Sequence, residues 1–121
     1  MEQLMKKLNN GTTNILGAEY TINFKKEEED EKLTICDGYC DFSTREIVCA
    51  IFERTIDSYK DLEQYAKGVL RHEIIHAFLY ESGLNSNSNN IEQWARNEEV
   101  VDWIALQFPK IKKVYEELEL C

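Results

Sequence analysis

No stretch of the chain approaches 18 consecutive apolar residues, so no transmembrane helix is expected. The amino-terminal segment "MEQLMKKLNNGTT" lacks the apolar core of a signal peptide, which makes the cytoplasm the expected compartment. Basic residues are outnumbered, with 14 Lys and Arg against 23 Asp and Glu, for a formal net charge of −9. They form no basic stripe, so neither a nucleic-acid backbone nor an anionic membrane is the expected main partner. Histidine is scarcer still: there are two in 121 residues, and both fall within "VLRHEIIHAFLYESG" as His72 and His76. What remains is an ordinary globular composition, 43% hydrophobic and 31% charged, and a length that suits one domain with one core across residues 1–121.

Four cysteines are present: Cys36, Cys40, Cys49 and Cys121. In a cytoplasmic chain they are expected to be reduced. The spacing of Cys36 and Cys40, with Cys49 nearby, leaves open a second, structural zinc site. The plainer reading makes Cys49, inside the apolar run "EIVCAIF", a small core residue, with Cys121 merely terminal.

Residues 1–9 suit one or two helical turns ended by "NNG". In "YTINF" (20–24) apolar and polar residues alternate strictly, the mark of a half-buried strand. "KKEEEDEK" reads as a solvated turn. "LTIC" (33–36) and "REIVCAIF" (45–52) read as two further strands joined by "DGYCDFST". A long helix is expected from 59 to 82, with Ser58 as its N-cap and Gly83 as its left-handed stop. Lys60, Gln64, Lys67 and Arg71 give its first half a polar side. Beyond Arg71 that side turns apolar at Ile75 and Phe78, so His72, Glu73 and His76 are expected on a central buried helix. A second helix is expected over 91–108, stopped by Pro109, and a third over "KIKKVYEELEL". The fold class is therefore α+β: a small sheet of about three strands packed on a central helix, followed by two further helices.

Residues at i and i+4 stand above one another on a helix face. His72 and His76 can thus turn two imidazoles to one zinc ion, one per chain, with Glu73 beside them as general base. Structural histidines next to a glutamate are the plain alternative, but two imidazoles and a carboxylate inside an apolar helix are costly without partners. Catalytic zinc usually takes three protein ligands. No third histidine exists, and "RNEEVVDW" offers Glu98, Glu99 and Asp102. Helix phase puts Glu98 and Asp102 on the otherwise apolar stripe of Ile91, Trp94, Ala95 and Ala105, while Glu99 shares a side with Glu92 and Arg96. Glu98 as ligand and Asp102 as the acid holding a ligand imidazole account for that pair. An inward pair bridged to buried Arg or Lys would also do so.

"HEIIH" followed by "EEVVD" resembles the gluzincin metallopeptidases. Together with "DGYCDFSTREIV", "LRHEIIHAFLYESGL" and "NEEVVDWIALQFPKI", the pattern over roughly residues 20–112 is similar to the small single-domain gluzincins of phages, prophages and mobile elements. These are minigluzincin-like and more distantly similar to the ImmA/IrrE-type proteases. The resemblance implies a small sheet beside the active-site helix and an extended peptide or protein substrate along a sheet edge. "EIVCAIF" is the expected neighbour of that substrate. The resemblance also implies zinc ligands His72, His76 and Glu98, a catalytic base Glu73, and Asp102 behind the ligands. Larger gluzincins often add a histidine or tyrosine for the oxyanion; here Tyr39, Tyr80 or Arg71, or zinc alone, would serve. The expected activity is metal-assisted peptide-bond hydrolysis. The rival is a zinc-binding regulatory or interaction protein with little proteolysis, which an intact Glu73 disfavours.

Overall fold

A computed structural model describes residues 1–84 and 97–121. Among them the fold is α+β, with the sheet preceding the two long helices. A short helix α1 (Glu2–Leu8) leads into four strands: β1 (Gly11–Ile15), β2 (Ala18–Lys25), β3 (Gly38–Asp41) and β4 (Glu46–Ala50). Two long helices follow, α2 (Leu62–Glu81) and α3 (Glu98–Glu117). The sheet order is β1-β2-β4-β3: an antiparallel β1–β2 hairpin, a parallel β2–β4 pair and an antiparallel β3–β4 pair.

The alternation in β2 does what its pattern dictates. Tyr20, Ile22 and Phe24 are buried on one face and meet Ile15, Ile47 and Cys49 together with Ala66, Leu70 and Ala77 of α2. Tyr20 is fully buried, and its hydroxyl donates to Glu81 at 2.7 Å; Arg45 donates to the same carboxylate at 3.2 Å. That network ties the last turn of α2 to the sheet. On the opposite sheet face Val48 and Ala50 pack with Leu33, Tyr39 and Phe52.

Several sequence expectations change. The sheet has four strands, not three, because the β1 segment "GTTNI" gains strand form only by pairing with β2. "LTIC" is no strand: Glu31–Thr34 forms a 3₁₀ turn in which Asp30 accepts from the Lys32 backbone and the Thr34 hydroxyl donates to the Glu31 carbonyl. The third strand lies instead in the segment read as a connection, and "EIVCAIF" is interior, with β3 outside it. Asp61, not Ser58, caps α2 by accepting from Gln64 N–H at 3.1 Å; the Ser58 hydroxyl closes its own turn on the Thr55 carbonyl. Gly83 does follow that helix in the left-handed region (φ +84°). α2 is not enclosed all round in its second half, since Phe78 is 39% exposed. Pro109 does not stop α3, which continues to Glu117 as one helix. Proline removes one bond of the ladder. The following turns are carried by good helix formers and by i,i+4 pairs, Lys112–Glu116 at 3.2 Å and Lys113–Glu117 at 4.0 Å. The expected second helix over 91–108 lies partly outside the described residues, as do Ile91, Glu92, Trp94, Ala95 and Arg96. Among the described residues no helix is long and apolar enough to cross a membrane.

One glycine sets how closely the sheet approaches α2. A Cβ on Gly38 would stand 2.7 Å from the Val48 carbonyl oxygen and 2.7 Å from Val69 Cγ1. β3 therefore lies against α2 only because it begins without a side chain. Gly38→Ala is expected to destabilise the fold by about 1–3 kcal/mol through that overlap. Gly68→Ala in α2, where a Cβ meets only Arg71 Nη2 at 3.7 Å, is expected to be neutral or stabilising by up to about 1 kcal/mol through helix propensity. Urea denaturation of the two variants checks the contrast.

Candidate metal centre

α2 is held on the sheet by Ala66, Leu70 and Ala77, and this fixes which of its residues turn toward α3. His72 and His76, one turn apart, stand with ring centroids 4.8 Å apart and are largely shielded, with side chains 16% and 15% exposed. α3 begins with Asn97, whose side chain accepts from Val100 N–H at 3.0 Å. Val101 and Ala105 bury themselves, and so the helix is phased to turn Glu98 and Asp102 to the two imidazoles.

Glu98 Oε2 lies 2.7 Å from His72 Nε2, and Glu98 Oε1 lies 3.1 Å from His76 Nε2. The two Nε2 atoms are 3.1 Å apart. Asp102 Oδ1 lies 2.5 Å from His72 Nδ1. One ligand atom from each of His72, His76 and Glu98 lies within 4.8 Å of the others, and among the described residues this is the one group able to hold a metal ion. The donor chemistry fits such a role. If His72 Nδ1–H donates to Asp102, the neutral ring has only a lone pair at Nε2. That lone pair then faces a carboxylate oxygen and a second imidazole. Such a cluster is satisfied either by a hydrogen on His76 Nε2 or by a metal ion that takes all three lone pairs.

Glu73 is the buried charge of the site, 8% exposed and outside the ligand group. Burial pushes its pKa up to about 7; His72 pulls it down in part, while Glu98 and Asp102 add to the rise. Burial works against the His72 cation as well, but the hydrogen bond to Asp102 and the carboxylates of Glu73 and Glu98 outweigh it, and its pKa is raised.

The remaining predicted residues fall at different distances from this chemistry. Arg71 lines the same cavity as His72 and Glu73. Tyr39 lines a cavity with His76 and Glu73, but its ring packs on the far face of the sheet, where its hydroxyl donates to Asp30 and Lys32 lies over it. Tyr80 is stacked on Phe42 at 4.3 Å. Glu99 is exposed in the first turn of α3 and joins no ligand group. The cysteines form no metal-capable group among the described residues. Cys49 is buried and Cys40 half-buried, and loss of solvent pushes the pKa of each up to about 12; burial also raises that of Cys36. Cys121 is exposed at the far end of the chain.

Two cavities flank the site along β3. One, about 540 Å³, runs from His72 and Glu73 to Cys36, Asp37, Gln64 and Tyr65. The other, about 620 Å³, runs from His76 and Glu73 to Tyr39, Cys40 and Phe42. Sequence reasoning did not find Gly38, Asp37 or Tyr65. The i,i+7 spacing of Tyr65 and His72, two turns on one helix face, was the available signal for Tyr65. A comparison of the chain with protein-family models, with curated proteins and with solved structures finds no match in any of the three.

Two predictions follow from this geometry. In competition with a chelator, Glu98→Ala is expected to weaken metal binding most. Asp102→Ala should weaken it about 10–100-fold, because Asp102 orients an imidazole and does not join the ligand group. Glu99→Ala should change it little; loss of metal from Glu99→Ala with retention in Glu98→Ala would contradict the assignment. The second concerns the metal-free protein. The folded state keeps on Glu73 a proton that the unfolded chain releases near 4.5, up to a folded pKa of about 7. Stability therefore falls as pH rises through that window. Glu73→Gln removes this dependence. With chelator present it should be more stable than wild type at pH 8, by on the order of 1–2 kcal/mol, and not near pH 4. Denaturant titrations at both pH values measure this.

Proposed function

We propose that the protein is a zinc-dependent peptidase of the kind its resemblance to small single-domain gluzincins implies, with His72, His76 and Glu98 holding one zinc ion. The observation that carries this reading is the position of Glu73. It is a buried carboxylate beside the metal-capable group, not part of it, and it lines both cavities of the cleft. A purely structural metal site has no use for such a group.

Zinc, when bound, would polarise a carbonyl oxygen and make water a better nucleophile near neutral pH. The chain's own residues supply the rest. Glu73 takes a proton from the attacking water as its oxygen bonds to the scissile carbonyl carbon. It then gives that proton to the amide nitrogen as the C–N bond breaks. Asp102 keeps the His72 ring in place through Nδ1.

The substrate would be an extended segment added to β3. Just before β3, Asp37 pairs with Ala50, whose N–H donates to the Asp37 carbonyl at 2.9 Å. The register then directs the backbone groups of Tyr39 and Asp41 to β4 and those of Gly38 and Cys40 away from it. The outward groups of Gly38 and Cys40 form the free edge that borders the cleft, and a peptide strand would pair there.

Zinc-loaded protein incubated with an unstructured protein should yield discrete fragments. Glu73→Gln should retain zinc and lose at least about a hundredfold in cleavage rate. Equal cleavage by wild type and Glu73→Gln would overturn the mechanism. Zinc binding without fragments from any substrate would favour the regulatory zinc-binding reading.

A further inference from the structure

The cleft has unlike ends. β3 and α2 run side by side in the same sense, since Asp37 meets Tyr65, Gly38 meets Val69 and Phe42 meets Tyr80. One end is thus aromatic, closed by the stacked pair Phe42–Tyr80, whose ring planes are 2° apart. The other end is polar, closed by Asp37, which accepts a hydrogen bond from the Tyr65 hydroxyl through Oδ2.

The charges at the polar end are unequally committed. Four carboxylates line this cavity: Asp37, Glu73, Glu98 and Asp102. Glu98 and Asp102 face the imidazoles, and Glu73 is buried beside them. Asp37 alone is both exposed and away from that group; among the described residues its Oδ1 has no hydrogen-bond partner. Tyr65 fixes the carboxylate and leaves its second oxygen to accept. Arg71, the one cation lining this cavity, stands toward α3, where it also lines a separate apolar cavity with Ile75, Phe108 and Pro109. Asp37 lies on the β3 wall, next to the outward backbone groups of Gly38. Gly68 on the facing helix carries no side chain, and the nearest atom to where its Cβ would be is Arg71 Nη2 at 3.7 Å, so the room left for an incoming side chain is on the Asp37 side of the cavity.

We infer that the cleft selects peptides carrying a lysine or arginine side chain, which would be received at this end by Asp37 and oriented by the Tyr65 hydroxyl. This rests on the peptidase reading above and narrows its substrate class. A peptide strand paired with Gly38 brings one of its side chains to Asp37 at the distance of a cross-strand neighbour, where opposite charges attract. The charge of −9 draws cationic peptides toward the protein as a whole.

The test uses a set of fluorogenic extended peptides in which one lysine is walked through the positions flanking the scissile bond, with glutamine and glutamate versions of each. Cleavage is measured with zinc-loaded wild type, Asp37→Asn and Asp37→Lys. Binding of the same peptides is measured with the zinc-loaded Glu73→Gln protein, with and without Asp37→Asn. At one position the lysine peptide should be preferred over glutamate by about tenfold in kcat/KM, and the preference should weaken as salt rises. The ratio should fall toward one in Asp37→Asn and invert in Asp37→Lys. Asp37→Asn keeps the size of the side chain, so it decides the matter if Asp37→Lys fails to fold. Cleavage without lysine preference, or with a preference that survives Asp37→Asn, overturns the inference and leaves the peptidase reading standing. Asp37-dependent binding of lysine peptides without any cleavage supports the subsite and sinks the peptidase. If no peptide is cleaved or bound, both fall.

Discussion

A cluster of lone-pair donors, which must share protons or a metal ion, joins α3 to α2. The His72 and His76 imidazoles and the Glu98 carboxylate meet within hydrogen-bonding distance, and Asp102 adds a second carboxylate at 2.5 Å from His72. Few apolar residues assist: of α3, only Val101 and Ala105 are buried. A metal ion bound by all three would add a link between the helices, so that metal binding would favour α3 docking. The groups that would grip the ion are therefore also those that would suffer most from its loss.

The sheet serves the same centre from the other side. α2 lies where it does because Ala66, Leu70 and Ala77 pack on β2 and β4, and because Tyr20 and Arg45 hold Glu81 at its end. Gly38 lets the edge strand approach α2 closely at Val69, one turn before His72. A free strand edge is ordinarily a hazard for aggregation. Here it borders the cleft in which Glu73 is buried, and in the proposed function it is where an extended chain is received. The buried thiol of Cys49 and the half-buried one of Cys40 pack between sheet and helix as small apolar groups.

How much of this was legible depended on whether the signal was local. The i,i+4 spacing of His72 and His76 is a one-turn feature, and the sequence alone placed both on one helix with Glu73. Glu98 and Asp102 were separated from Glu99 by helix phase, and the structure turns the first two to His72; the stripe is not core-facing, however, since their side chains are 68% and 63% exposed. β2 was legible because its alternation spans five residues. β3 was not: "GYCD" has no alternation of its own and is a strand because β4 pairs with it. The apolar letters of "LTIC" suggested a strand, but the Asp30 cap and the Thr34 hydroxyl favour a tight turn there. Pro109 overstated its breaking power because the sequence beyond it is strongly helical on its own account. The cleft end formed by Asp37 and Tyr65 was invisible, since it joins residues 28 apart through tertiary packing.

The central claim is that histidine and carboxylate, and no cysteine, make the metal centre. X-ray absorption spectroscopy at the zinc edge of the zinc-loaded protein tests it most directly. The account predicts about one zinc per chain with a nitrogen and oxygen shell near ~2.0–2.1 Å, the multiple-scattering signature of two imidazoles, and no sulfur. A sulfur shell near ~2.3 Å, retained in His76→Ala, would contradict it and move the metal to the cysteines.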